Sequence, residues 1–191
     1  MSSSLTRPGI RYALFGLTTV LFILALLLNT LMPGFFTISF INVWIQTFIG
    51  VIMLVYYPPS IYFSIKDKAT TFDQAGGEVA VGVLITTAWL VCFIMETILA
   101  SWNFCNDTDS GWYSGAKNCQ ATAIGLSVLY IINFFIHFGW TTWIIVLVHK
   151  SSENRVARKE TYKIPTHKLI RGIFTGTKIP EEEAGLYNHR L

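Results

Sequence analysis

Apolar residues fill four long runs, and the polar residues collect in the short stretches between and after them. The runs cover about residues 12–32, 38–57, 79–101 and 121–148. Each has the roughly 20 apolar residues that a helix rising about 1.5 Å per residue needs to cross a hydrocarbon core about 30 Å thick. The pattern predicts an all-α membrane protein, an antiparallel bundle of four transmembrane helices. Pro33-Gly34-Phe35-Phe36 is short and uncharged, so the second run must return at once as a hairpin. Pro58-Pro59 is expected to stop that second helix, because proline removes a helical donor and crowds the preceding turn.

The polar stretches predict the rest. Residues 1–10 are a short polar N-terminus, 11–149 the membrane domain, and 150–191 a charged tail expected to be flexible and solvated. Tyr56, Tyr57 and Tyr62 stand where an aromatic interface belt is expected, and Trp140 and Trp143 read as anchors at the far end of the fourth span. The link after Pro59 carries Lys66, Asp67, Lys68, Asp73 and Glu78 and reads as a wet loop, with residues 60–65 lying along the surface. In the tail, LIRGIF around Arg171 is a candidate for docking on the bilayer. The first run, after Arg7, could serve as a signal peptide, but its length and its lack of a small-x-small cleavage site favour an uncleaved span.

Composition agrees with this reading. The chain has 191 residues, 52% of them hydrophobic and only 13% charged, about half the roughly 25% of soluble domains. Mean hydropathy is +0.50. Four His and three Cys form no CxxC or HExxH pattern, and no Walker, dinucleotide or GxSxG fingerprint is present. The reading therefore assigns no catalytic residues, no metal, no cofactor and no nucleic acid.

Charge orients the spans. With four of them, both ends share a side with the 58–78 link. That side gathers Arg7, Arg11, Lys66, Lys68 and the tail bases Lys150, Arg155, Arg158, Lys159, Lys163, Lys168 and Arg171. The other side holds only Lys117 with Asp107 and Asp109. The positive-inside rule then makes both termini cytoplasmic. Tail bases near the surface are expected to attract anionic lipid by about 1 kcal/mol each.

The 102–120 loop falls on the opposite, oxidising side, where Cys105 and Cys119 are expected to pair, the alternative being two free thiols. Closing a loop of about fifteen residues contributes on the order of 3 kcal/mol in the chain-entropy model. Asn106-Asp107-Thr108 is a candidate glycosylation acceptor on that side. Cys92, in mid-span, reads as a small packing residue.

A few polar residues lie within the spans. Glu96 is the one acid there, and an intramembrane carboxylate is by default a functional candidate. Asn42 and Gln46 sit one turn apart at comparable depth, and Asn29 closes the first span on the same side. Asn133 and His137 form a second, deeper pair on the fourth span, with a neutral imidazole bonded between helices as the expected state. Packing hydrogen bonds are the expected role of this set, and a protonatable site for transport or sensing is the sharper one. Gly82 with Thr86, and Ala121 with Gly125, permit close helix approach.

Four spans with cytoplasmic ends, a Cys just after the third span (Cys105), and Asn118-Cys119-Gln120-Ala121 leading into the fourth resemble the MARVEL-domain family, in particular small fungal four-span plasma-membrane proteins. The likeness covers about residues 11–150. It implies a non-enzymatic protein of the plasma membrane or secretory pathway that organises membrane microdomains or assists traffic. Its expected partners are lipids, a second copy of the chain or other membrane proteins, with the tail recruiting a cytoplasmic partner. The competing class is a small transporter, channel subunit or proton-linked sensor using Glu96 with Asn42 and Gln46.

Overall fold

The structure is a computed structural model and describes residues 6–30, 38–66, 74–101, 119–152 and 161–175. Among these the protein is helical: α1 (Thr6–Thr30), α2 (Ile38–Ile65), α3 (Ala75–Ser101), α4 (Cys119–Ser152) and a short α5 (Thr166–Thr175). Three stretches, Ile41–Ile65, Ala75–Ile98 and Gln120–Lys150, are long and apolar enough to cross a membrane, and α1 carries a shorter apolar stretch, Ala13–Leu28.

Each helix is longer than its apolar run. The largest correction is at α2, which runs through Pro58 and Pro59 to Ile65 instead of stopping there. Two prolines cost helical bonds, but Tyr56, Tyr57, Ser60 and Ile61 on either side are all buried, so packing holds the helix across the gap. A break at that point would also leave further backbone groups unpaired, which lipid does not tolerate. Residues 60–65 therefore belong to α2. Tyr56 and Tyr57 turn inward, with rings 5.6 Å apart, and of the three tyrosines Tyr62 alone is exposed.

The buried positions recur with one spacing. On α4 they include Ala123, Leu126, Tyr130, Asn133, His137, Trp140, Ile144 and Leu147, and on α3 Ala75, Glu78, Gly82, Ile85, Trp89, Cys92 and Glu96, with Thr141, Val148 and Thr86 buried beside these stripes. On α2 they include Asn42, Gln46, Ile49, Met53, Tyr56 and Ser60. Steps of three and four alternate throughout, the heptad pattern that keeps one stripe facing a neighbouring helix. The remaining faces are apolar and open, with Trp44, Phe48, Leu54 and Phe135 each more than 60% exposed. Two hydroxyls on these faces bond to their own helix. Thr47 donates to the Val43 carbonyl and Thr97 to that of Phe93, both at 2.8 Å. A surface that is apolar outside and polar inside is that of a protein solvated by lipid.

The chain divides into two compact units, and every long helix contributes to both. The first comprises residues 1–15, 53–83 and 138–191, and the second 16–52 and 84–137. The first is built on a core of Ala75, Trp140, Ile144, Leu147, Val148, Ile164, Leu169 and Ile170. Part of the tail thus belongs to the fold. Thr161, Ile164, Thr166, Leu169 and Ile170 are buried, where a solvated tail was expected, and the LIRGIF leucine and isoleucine at 169 and 170 face protein. The segment also completes α3. The Ala75 amide donates to the Ile164 carbonyl at 3.0 Å and the Gly76 amide to that of Tyr162 at 2.9 Å. Those amides are first-turn donors with no partner in their own helix. A β-carbon at Gly76 would lie 3.2 Å from the Tyr162 carbonyl oxygen, so glycine permits this approach.

Candidate functional site

The second unit carries a polar seam. Asn42 Nδ2 on α2 donates to Glu96 Oε2 on α3 at 2.8 Å, and both residues are fully buried. One turn along α2, Gln46 Nε2 donates to the Tyr130 hydroxyl on α4. Trp89 sits between the helices, its ring 5.7 Å from that of Tyr130 and 6.5 Å from that of Phe22 on α1. Three stripes thus meet: 42 and 46 on α2; 89, 92 and 96 on α3; 130, 133 and 137 on α4. The 3–4 spacing places them there, and the helix surface opposite is left to apolar residues.

The seam holds several polar atoms without a partner. Among the described residues, Asn42 Oδ1, Gln46 Oε1, Glu96 Oε1 and Asn133 Oδ1 are buried without a hydrogen-bond partner. The indole N–H of Trp89, the hydroxyl of Thr19 and the two ring nitrogens of His137 are buried without a partner as well. Asn133 Nδ2 turns back onto the Leu129 carbonyl at 3.0 Å, so it bonds within its own helix. His137 is buried and neither ring nitrogen has a partner, which departs from the expected bond between helices.

The first unit holds a second buried acid. Glu78, expected in a wet loop, is 2% exposed and accepts from Trp140 Nε1 at 2.9 Å. Both readings from sequence are corrected here. The α3 helix starts early enough to carry Glu78 inside, because the 162–164 carbonyls cap its first turn. Trp140 points at that carboxylate instead of anchoring in the interface, and Trp143 packs beside it with ring centroids 5.2 Å apart. Also in the first unit, Gly82 faces Thr141, whose Cβ and Cγ2 would lie 3.3 Å from an added β-carbon. Gly125 meets nothing within 4 Å, and Ala121 is exposed, so among the described residues that pair packs against no other helix.

Several candidates lie elsewhere. Cys105, Asn106, Arg155, Arg158 and Lys159 are outside the described residues, as are the side chains of Asn29, Cys119 and Arg171. Cys92 is a buried free thiol. Lys150 is exposed and Lys163 and Lys168 are half-buried, all in the first unit. No group of three or more His, Cys, Asp or Glu that could hold a metal ion occurs among the described residues. Trp89, Tyr130, Trp140 and Glu78 are the site residues that sequence reasoning missed. Their signal was the 3–4 register they share with Glu96 and Asn133. Set against known proteins, the chain matches no family model, no curated protein and no solved structure.

Proposed function

We propose that this is a four-span integral membrane protein with both termini cytoplasmic, which organises membrane microdomains or assists membrane traffic and performs no catalysis. The observation that carries the reading is the inverted surface. The long helices turn bulky apolar residues outward and keep Asn42, Gln46, Glu78, Glu96, Asn133 and His137 inside, so what the outer surface offers is contact with lipid and with other membrane proteins. Lys66, Lys150, Lys163 and Lys168 all belong to the first unit and supply cationic contacts for anionic lipid. The MARVEL-like arrangement of spans and loop cysteines points the same way, to a plasma-membrane or secretory-pathway protein that associates with copies of itself or with other membrane proteins. A Cys105–Cys119 bridge and a glycan on Asn106 are part of this proposal.

The test is imaging of the full chain, tagged at its C-terminus and at native level, by total-internal-reflection microscopy. Stable discrete patches at the cell surface are expected. A uniform surface signal contradicts the organising role and moves weight to the second reading, a transporter or proton-linked sensor, which the unpartnered oxygen of Glu96 favours.

A further inference from the structure

The charges of the second unit do not balance within the chain. Between residues 12 and 65, 75 and 101, and 119 and 148 the sequence has no Lys or Arg. An ionised Glu96 therefore finds no protein cation at its depth, and a buried carboxylate needs one. Its one bond, from Asn42 Nδ2, engages Oε2 and leaves Oε1 open. The buried polar groups of the helices around it are neutral: Asn42 and Gln46 on α2, Tyr130 and Asn133 on α4, and Trp89 and Cys92 on its own helix, with Thr18 and Ala25 buried among the described side chains of α1. The amide oxygens of Asn42, Gln46 and Asn133 are unpartnered too, as are the ring nitrogens of Trp89 and His137. A buried carboxylate oxygen and amide oxygens left without a donor call for an electron-poor guest. One carboxylate with neutral amide oxygens is a hard-oxygen donor set of net charge −1, which suits a single monovalent cation better than a divalent or thiophilic one.

We propose that the second unit binds an alkali-metal cation of the sodium class at Glu96, with the amide oxygens of Asn42 and Gln46 completing its shell. The bound ion neutralises the carboxylate and joins α2 to α3. This site is independent of what the protein assembles with in the membrane.

Dicyclohexylcarbodiimide, which attacks protonated carboxyls in apolar surroundings, tests it on the full chain in lipid nanodiscs. Modification of Glu96, located by peptide mass mapping, is expected in choline buffer and is expected to fall about tenfold when sodium saturates the site. Glu96→Gln removes the modification. Asn42→Ala retains it and shifts sodium protection to higher concentration. The thermal midpoint in the same discs gives a readout that does not depend on reagent access: it rises when sodium replaces choline in the wild-type chain, and this response is lost in Glu96→Gln. Modification that ignores sodium overturns the proposal and leaves a proton as the neutralising charge. A wild-type midpoint that does not respond to sodium also overturns it.

Discussion

Asn42 and Trp140 each hold a buried carboxylate, and each does so with one side-chain donor that can be removed without changing the backbone. Leaving a buried acceptor without its donor costs about 1 to 3 kcal/mol, whereas a hydrogen bond between membrane helices contributes only about 0.6 to 2 kcal/mol. Asn42→Leu is therefore expected to lower the stability of the chain by about 2 kcal/mol, measured by reversible unfolding in mixed micelles. The double variant Asn42→Leu/Glu96→Leu, which leaves no orphaned carboxylate, should recover most of that loss. Trp140→Phe keeps the ring packing against Trp143 and removes the donor to Glu78. Its expected cost is about 1 kcal/mol, and a loss no larger than that of an exposed control such as Phe135→Leu would remove the structural role given to that bond. Glu96, Asn42 and Gln46 were legible in the sequence because a polar residue stands out in an apolar run. Trp89, Tyr130 and Trp140 were not, because an aromatic ring can face lipid, interface or core equally well. What separates these cases is register relative to Glu96, not residue type.

At the scale of helices, close approach is local to particular faces. Gly82→Val drives a branched side chain into Thr141 and is expected to destabilise by about 1 to 3 kcal/mol, as overpacking does. Gly125→Ala meets open space and should be neutral or slightly stabilising, since alanine is the better helix former. Thermal denaturation of the two variants side by side checks the contrast. The tail segment gives a second test. Deleting residues 161–191 removes the carbonyls that cap Ala75 and Gly76 and uncovers Ile144, Leu147 and Val148, so amide exchange at the start of α3 should accelerate by orders of magnitude. This packing was hidden in the sequence because charged neighbours mask Ile164, Leu169 and Ile170, and because the cap joins residues about ninety positions apart. The passage of α2 through Pro58-Pro59 was hidden for a related reason: the local rule for proline is overridden by tertiary burial on both sides. Element type, by contrast, followed from run length alone.

For the molecule as a whole, the distribution of polar groups matters more than any one of them. Exposed Thr47 and Thr97 satisfy their hydroxyls on their own helix, polar side chains follow the buried 3–4 stripe, and bulky apolar residues fill the rest. That arrangement fits lipid as the surrounding solvent; the central proposal, a four-span protein with both ends on one side, adds to it the charge pattern of the sequence. Epitope tags placed at the N-terminus, after Thr70, after Ser110 and at the C-terminus, each stained in intact and in permeabilised cells, test this claim most directly. The account predicts that the tag after Ser110 is stained in intact cells and the other three only after permeabilisation. Staining of one terminus but not the other in intact cells would mean an odd number of spans and would contradict it.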